Sequence, residues 1–268
     1  MIHFIKLGGS LITDKNKPMT PRPAVINRLA AEIAAAWRSR PHQKWVLSHG
    51  SGSYGHVAGK RHGIRNGVRT PEGWQGFVET GHVAGQLNRL VLEALLQTGL
   101  PVISLPPSAL AWCRDGRIVE FWSKPVQAAL ENNLIPLLFG DVAFDETRGG
   151  VIISTEEVLA ALARDIAPQH LTLVGVVDGV YDADPLRNPQ ARPIPHISIS
   201  QLHNLSAELG GSHGVDVTGG MAGKVQEMAE LIRKIPDLKV HLLSGEIPMR
   251  LQEHLQDPTQ PLGTTLSL

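Results

Sequence analysis

Two glycine-rich segments of this sequence each follow a short apolar run. The first, "KLGGSLITDK" (6–15), places two glycines and a serine between Lys6 and Lys15, and the second is "SHGSGSYGH" (48–56). Glycine lets backbone N–H groups converge on an anion without interference from a Cβ atom. Either segment alone is typical of a simple turn. Together, on one edge of a parallel sheet, they would place two phosphate groups face to face, which is the geometry of phosphoryl transfer.

Two later segments carry charged residues beside glycines. Lys224 follows "TGGMAG" at the start of a predicted helix, where the helix dipole favours anions. This lysine either reaches solvent or shares an anion with the helix N-terminus. Asp178 lies in "VVDGVYDADP", whose Asp-Gly pair is typical of a turn. Its carboxylate could also hold the sugar or base of a nucleotide, and the turn alone leaves both alternatives open.

The common nucleotide and metal motifs do not match. The P-loop pattern GxxxxGK[ST] is absent. "GSGSYG" (50–55) matches GxGxxG, but the next residues are glycine-rich and basic and do not predict the helix and second strand of a dinucleotide site. The basic stretch 60–69 is either a solvated loop or a flap that attracts anionic substrate. The histidines show no HExxH or paired spacing, so we expect no zinc site.

Strands and helices alternate along the chain and must position these loops. Short apolar runs predict strands at 2–7, 44–50, 101–105, 134–142 with a break at Gly140, the start of 170–185, and 239–245. Helical periodicity predicts helices at 23–37, 86–99, 155–166 with Thr155 as the N-cap, and 219–235. This order predicts an α/β fold with a mainly parallel sheet covered on both faces, with a weak lobe boundary near Ala167–Pro168.

The composition excludes several classes of protein. The chain has 268 residues and a formal net charge of zero, which argues against bulk binding to nucleic acid or to an anionic membrane. A single cysteine, Cys113, allows no intrachain disulfide, so we expect a cytoplasmic protein. The N-terminus does not have the pattern of a signal peptide, and no apolar run approaches the length of a membrane span.

These segments resemble one known family. Together with "LNRLVLEALLQTGLPVISLPPSAL" (87–110) and "LFGDV" (138–142), they resemble the isopentenyl phosphate kinases of the amino acid kinase superfamily, from residue 4 to about 245. The most specific feature is His56, because the acetylglutamate, aspartate and uridylate kinases of the superfamily generally lack this histidine. The fosfomycin-resistance kinases share it and are the nearest competitor.

The resemblance implies a fold and a set of ligands. The fold would be a three-layer αβα sandwich with a central, mainly parallel sheet, formed by residues 1–268 as a single domain. Its N-terminal lobe, about 1–167, would bind the acceptor, and its C-terminal lobe, about 168–268, would bind the nucleotide. ATP and Mg²⁺ would serve the reaction, isopentenyl phosphate would be the small-molecule partner, and the protein would be a homodimer.

The resemblance also assigns roles to individual residues. The implied catalytic residues are Lys6, Lys15 and His56. The implied ATP-binding residues are Lys6, Gly8, Gly9, Ser10, Ser51, Asp178, Gly219 and Lys224. The implied acceptor-binding residues are Gly50, Gly55, His56, Gly140 and Val83. No residue is assigned to hold a metal by itself.

The sequence departs from the family at one place. Where many members read Ser-Gly-Asp-Asp, this chain reads "STEE" (154–157), which leaves the roles of Glu156 and Glu157 open. "HGSGS" in place of "HGGGS" is a milder change, because serine still donates its backbone N–H. An apolar stripe of Val83, Leu87, Leu90 and Ala94 has helical spacing. Such a stripe is typical of a core, and in this family the same helix lines the isoprenoid pocket.

The implied reaction moves the γ-phosphoryl group of ATP onto isopentenyl phosphate, giving isopentenyl diphosphate in isoprenoid biosynthesis by the alternate mevalonate pathway. A phosphate dianion is already a nucleophile, so catalysis requires positioning and charge neutralisation rather than a base. His56 suits a hydrogen-bond donor better than a base. The alternatives are a kinase for fosfomycin or another small phosphate or phosphonate, and a regulatory nucleotide-binding member of the superfamily.

Overall fold

The computed structural model describes residues 1–61, 63–183, 188, 190–200 and 219–268. In these residues the strands are β1 (Ile2–Leu7), β2 (Lys44–His49), β3 (Val102–Ser104), β4 (Ala111–Arg114), β5 (Arg117–Phe121), β6 (Ile135–Phe139), β7 (Asp141–Asp145), β8 (Gly149–Ile153), β9 (His170–Gly175), β10 (Val180–Tyr181), β11 (Pro193–Ile194), β12 (His196–Ser198), β13 (Lys239–Ser244) and β14 (Thr264–Ser267). The helices are α1 (Gly9–Ile12), α2 (Pro23–Ser39), α3 (Gly52–Arg61), α4 (Pro71–Gln97), α5 (Lys124–Glu131), α6 (Thr155–Ile166), α7 (Gly219–Lys234) and α8 (Arg250–Gln256).

The main sheet has the order β12-β14-β13-β9-β1-β2-β6-β3. Its neighbouring strands are parallel except for the antiparallel pair β13–β14. Strands from both sides of the predicted boundary near Ala167–Pro168 join in this one sheet, through the pairing of β1 with β9. The mainly parallel sheet of the prediction is therefore confirmed.

Helices cover both faces of this sheet. Leu29 of α2, Leu87 of α4 and Leu251 of α8 lie in one buried apolar cluster. Val126 of α5 and Leu162 of α6, with Met228 of α7, lie in the other. The sandwich has the three predicted αβα layers. In the part of the chain that the structure describes, no helix combines the length and apolar character needed to cross a bilayer.

Strand alternation decides which residues face which helices. Successive side chains of a strand point to opposite faces. Phe4 of β1 lies in the cluster under α6 and α7, whereas Ile5 and Leu7 lie in the cluster under α2 and α4. Lys6 therefore shares its face with Phe4, on the side of α6 and α7. By the same rule, His49 at the end of β2 faces α4.

The second sheet was not predicted from the sequence. It has the order β5-β4-β7-β8 and packs against the N-terminal half of α4, where Phe77 and Trp74 meet Val142 and Ile152. The predicted strand 134–142 does break at Gly140, and its two parts belong to different sheets. Gly140 is thus the point at which the chain leaves the main sheet.

Three helix boundaries differ from the predictions. α4 begins at Pro71 rather than at 86, because Thr70 caps it by accepting a hydrogen bond from the N–H of Gly73. α3 begins at Gly52, inside the segment that was expected to be a loop. The N-cap of α6 is Ser154 rather than Thr155, since Ser154 and Glu157 form a reciprocal capping box.

A buried group of histidines lies at the other end of the main sheet from Lys6. His3 Nε2 lies 2.7 Å from Thr172 Oγ1, and the same hydroxyl lies 2.9 Å from His254 Nε2. The His241 ring centroid lies 4.6 Å from that of His254. Burial, and then the neighbouring histidines, lower the pKa of His241 to about 2 and that of His254 to about 4, and hold the pKa of His3 well below its usual value.

This group makes the protein sensitive to acid. The pKa values of these histidines are lower in the folded protein than in the unfolded chain. As the pH falls, the unfolded chain therefore takes up protons before the folded protein does, and stability is lost below the ordinary histidine pKa. At about pH 5.5, each histidine that stays neutral in the folded protein lowers the free energy of unfolding by on the order of 1 kcal/mol relative to about pH 8. Urea unfolding at about pH 8 and about pH 5.5 measures this difference. His254→Gln should make the pH dependence shallower, whereas His42→Gln, at an exposed position, should not; equal stability at both pH values would contradict the expectation.

Candidate active site

Lys6 is a buried cation at the carboxyl end of β1. Its side chain is only 9% exposed, and its ammonium forms a hydrogen-bonded ion pair with Glu156 Oε1. Glu156 lies in the first turn of α6, where the helix dipole favours an anion. The alternation of β1 therefore places Lys6 on the face of the sheet where the start of α6 offers it a carboxylate.

The charges around Lys6 act on one another. Burial lowers the pKa of Lys6, and the field of Lys224 lowers it further, while Glu156 and Glu227 oppose both effects. Burial tends to raise the pKa of Glu156, but Lys6, a backbone hydrogen bond and Lys224 together lower it, so that the pKa of this carboxyl lies below its usual value. Each member of the pair therefore opposes the effect of burial on the other, and Lys224 of α7 is close enough to act on both members.

The two glutamates of "STEE" have different structural roles. Glu157 Oε2 accepts the N–H of Ser154 at 3.0 Å, and Ser154 Oγ accepts the N–H of Glu157 at 3.0 Å. Glu157 also lies 3.3 Å from Arg117. Glu157 thus closes the start of α6, whereas Glu156 is the partner of Lys6.

The two glycine-rich segments touch each other through their backbones. A Cβ atom on Gly9 would come within 2.6 Å of Gly52 Cα, and one on Gly50 would come within 2.8 Å of the Gly9 nitrogen. Gly52 also has a φ of +51°, in the left-handed region that favours glycine. The sequence predicted that the two segments share one edge of the sheet, and the structure brings them into direct contact.

Thr13 ties the two segments together. It is buried, its hydroxyl donates to the carbonyl oxygen of Gly9 at 2.7 Å, and it accepts the N–H of Ser53 at 3.0 Å. One side chain therefore links the end of the first segment to the first turn of α3. Sequence reasoning missed Thr13, because a threonine after a short apolar run carries no signal of its own.

Several backbone donors remain open at this contact. In the described part of the chain, the N–H groups of Gly9, Ser10 and Ser51 donate to no protein acceptor, and all three residues are half-buried. The N–H of Gly8 donates to Val174 in β9 at 2.7 Å, so it belongs to the sheet. Open N–H groups on two touching backbones, one of which follows the buried Lys6 in the chain, are suited to bind phosphate oxygens.

The predicted acceptor residues lie around the end of β2. The N–H of Gly140 donates to the carbonyl of His49 at 3.2 Å, and Gly55 lies in the first turn of α3, with its N–H 3.3 Å from the Ser51 carbonyl. His56 follows in the same helix; its side chain lies outside the described set, and its role stays a prediction. Val83 of α4 is buried in the core with Leu87 and Ala94, while Leu90 is exposed, so the predicted stripe is correct at three of its four positions.

Lys15 lies apart from this buried group. It occupies an exposed turn that is closed at its base, where the N–H of Asp14 donates to the carbonyl of Thr20 at 2.9 Å. Ser53 of α3 holds the same turn, because Ser53 Oγ accepts the N–H of Thr20 at 3.2 Å. The turn thus rests on the second glycine-rich segment, and a catalytic role for Lys15 stays a prediction.

The predicted nucleotide residues lie on two elements. Asp178 follows β9 and pairs with Arg250 of α8, and its other oxygen accepts the N–H of Ser244 at 3.4 Å. Gly219 begins α7, which carries Lys224. Asp178 therefore holds two loops of the sheet edge together, and whether it also binds a nucleotide stays a prediction.

A cavity of about 530 Å³ lies between the second sheet and α7, and Ser154 and Glu157 at the start of α6 also line it. Charged residues that line it are Arg117, Arg148, Glu157, Glu227 and Glu230. Burial raises the pKa of Glu227, and so do the fields of Glu156 and Glu157. Because carboxylates and arginines are mixed here, this cavity lacks the uniformly positive field of a phosphate site, and the glycine-rich contact is the better candidate.

Comparison with known proteins identifies the family. The model of the amino acid kinase family matches residues 1–244. This chain belongs to the amino acid kinase family. It is 31% identical to the isopentenyl phosphate kinase of Methanothermobacter thermautotrophicus over 263 residues, which is 94% of each chain. It is 32% identical to the isopentenyl phosphate kinase of Haloferax volcanii over 231 residues, 85% of this chain and 87% of the other.

The fold agrees with that of a solved member of the family. An X-ray structure of isopentenyl phosphate kinase superposes with a TM-score of 0.83 at 27% sequence identity, and the match covers all of both chains. The predicted amino acid kinase fold is therefore confirmed.

The backbone contact gives a direct test. Gly9→Ala should separate the two segments, because its Cβ atom would overlap the backbone at Gly52, and overpacking of this kind costs about 1–3 kcal/mol. Gly85→Ala is the matched control, since a Cβ atom there meets nothing within 4 Å inside α4. The control should raise the stability by about 0.5–1 kcal/mol. Urea unfolding measures both changes, and a Gly9→Ala protein as stable as the wild type would refute the contact.

Proposed function

We propose that this protein is an ATP-dependent kinase that converts isopentenyl phosphate to isopentenyl diphosphate in isoprenoid biosynthesis. The observation that carries the proposal is the backbone contact between the two glycine-rich segments beside buried Lys6. This contact brings together the open backbone N–H donors of the two segments, Gly9 and Ser10 in the first and Ser51 in the second. The relatives named isopentenyl phosphate kinase, which match almost the whole chain, support the choice of substrate.

The residues act by positioning and by charge. The acceptor phosphate attacks as a dianion, so no general base is needed, and the obstacle is repulsion between two anions. Lys6 and the N–H groups of Gly9, Ser10 and Ser51 offset this repulsion at low dielectric. By resemblance, Lys15 and His56 add a second cation and a hydrogen-bond donor. Asp178, Gly219 and Lys224 belong to the part of the fold assigned to ATP.

Mg²⁺ fits the chemistry of this site. Magnesium in phosphoryl-transfer sites is held mainly by substrate phosphates and by one or two carboxylates. Glu227 is a half-buried carboxylate whose charge acts on Lys6, and Glu156 is engaged with that lysine. Glu227 is therefore the residue that would contribute to holding the ion. When bound, the ion neutralises charge on the phosphates.

The acceptor and the nucleotide are assigned to different lobes of the protein. One domain of two lobes, about 1–167 for the acceptor and about 168–268 for the nucleotide, acts as a cytoplasmic homodimer. The cytoplasmic setting rests on the cysteine usage, because the single Cys113 allows no intrachain disulfide.

A coupled assay of ADP release tests the activity. Isopentenyl phosphate, dimethylallyl phosphate and fosfomycin are compared in parallel at equal ATP. We expect turnover of the isoprenoid phosphates and little of fosfomycin, because the relatives that match almost the whole chain are named isopentenyl phosphate kinase. Turnover of fosfomycin alone would favour a phosphonate kinase, and no turnover of any acceptor would favour a regulatory protein.

Lys15 should act in the transition state rather than in binding. Lys15→Ala is expected to lower kcat by on the order of 10²-fold with little change in KM, because a cation aimed at the transferring group acts where charge develops. Lys17→Ala is the matched control, since Lys17 is an exposed lysine of the same turn. Steady-state kinetics separate the two parameters. An effect of Lys15→Ala on KM alone, or equal effects of both variants, would show that Lys15 has no catalytic role.

A further inference from the structure

His49 is a fully buried histidine at the point where β2 passes into the second glycine-rich segment. Its ring stacks on Phe139 of β6, with centroids 5.6 Å apart and planes 7° from parallel. Its carbonyl accepts the Thr155 hydroxyl at 2.9 Å and the Gly140 N–H at 3.2 Å. One residue thus joins β2, the break after β6 and the start of α6, next to Glu156.

The ring of His49 ends a buried chain of polar groups. Its Nε2 lies 3.1 Å from Asn88 Nδ2 in α4, and Asn88 Oδ1 accepts the Ser104 hydroxyl at 2.6 Å. An amide nitrogen only donates, so Nε2 must accept, and in a neutral ring the proton then lies on Nδ1. Nδ1 lies 3.1 Å from the carbonyl oxygen of Gly50 and donates to it.

This bond sets the direction of the next backbone donor. In a planar trans peptide, the C=O and the following N–H point in opposite directions. With the Gly50 carbonyl held against the ring, the N–H of Ser51 points away from it. That N–H meets no acceptor among the described residues, and it belongs to the segment that touches Gly9.

We propose that His49 is a positioning residue, whose Nδ1–H, set by Asn88, holds the Gly50–Ser51 peptide with its N–H turned toward the transferring phosphoryl group. This inference rests on the proposed kinase function. The ring touches no substrate and acts only through the backbone. The chain of Ser104, Asn88 and His49 thereby links the outer strand β3 and the acceptor helix α4 to the phosphate site.

The ring stays neutral under working conditions. Burial lowers the pKa of His49 to about 4, and Lys6 of β1 lowers it as well, against the opposing bond to Gly50. The groups that face the ring from the other elements are uncharged: Asn88 from α4, Phe139 from β6 and Thr155 through the carbonyl from α6. The activity of the wild type should therefore show no titration of His49 between about pH 6 and about pH 9.

The first experiment reads the tautomer itself. NMR of the ring nitrogens in protein labelled with ¹⁵N-histidine should show His49 protonated on Nδ1 and bare on Nε2, with His49→Asn assigning the signal by its loss. A ring protonated on Nε2 would overturn the proposal. The measurement needs no turnover, so it stands even if isopentenyl phosphate proves not to be the substrate.

The second experiment changes the partner of the ring. Asn88→Asp replaces a donor by a carboxylate, which raises the pKa of His49 and, in the neutral ring, draws the proton to Nε2. The lone pair of Nδ1 would then face the Gly50 carbonyl, and the hydrogen bond between them would be lost. We expect kcat of this variant to fall as the pH rises through the new pKa, while the wild type shows no such step. A folded Asn88→Asp protein with the wild-type pH profile would overturn the proposal.

The third experiment uses rescue. His49→Leu should lower kcat by on the order of 10²-fold, the usual loss for one transition-state donor, with little change in KM for ATP. His49→Asn should recover most of this loss, because its amide nitrogen occupies the place of Nδ1. His254→Gln, a buried histidine variant at the far end of the sheet, controls for loss of stability and should keep its kcat. Equal kcat in folded His49→Leu and wild-type protein would refute the positioning role.

Discussion

The close approach of two backbones, at Gly9 and at Gly50–Gly52, is the constraint on which the site depends. It follows from the sheet, because β1 and β2 are adjacent and parallel and their ends therefore emerge on the same edge. The N–H of Gly50 donates to the carbonyl of Leu7 at 2.9 Å, which extends the pairing of the strands into the loops. Any side chain at Gly9 would force the two segments apart and separate their open N–H groups.

The buried ion pair of Lys6 and Glu156 is the electrostatic counterpart of this contact. A lone ammonium at such a position would lose its proton or be drawn toward solvent, because burial disfavours the charged form. Glu156, stabilised by the start of α6, opposes this effect of burial on the pKa of Lys6. The low dielectric around Lys6 then strengthens its attraction for any phosphate that arrives. The longer glutamate in "STEE" therefore retains the acid at the place where it meets the lysine, and Glu157 serves the helix cap.

Much of the architecture was predictable, and the failures share a cause. The buried strands β1, β2, β9 and β13 were found because a parallel strand reads as one apolar run. The starts of α3 and α4 were missed because glycines lower the helix propensity of both segments. Packing overrides this cost: a Cβ atom on Gly59 or Gly81 would meet a side chain of the second sheet at close range. That sheet was missed because its strands are short and two of them, β4 and β5, are partly exposed.

The residues of the site fall into two groups: those that the sequence alone indicates, and those whose role depends on partners in the folded structure. Glycines and lysines that directly follow strands indicate a phosphate site, because few other functions need both open backbone N–H groups and cations at a strand end. The residues that orient the backbone, Thr13 and the pair His49–Asn88, look like ordinary polar residues of a core, and the members of the pair are separated by 39 positions. Their roles arise from partners that the fold supplies. The direction of a backbone N–H is fixed by the contacts of its peptide group and not by its own side chain. In this site the buried polar groups Thr13, Asn88 and His49 supply those contacts. They are therefore as much a part of the site as the lysines.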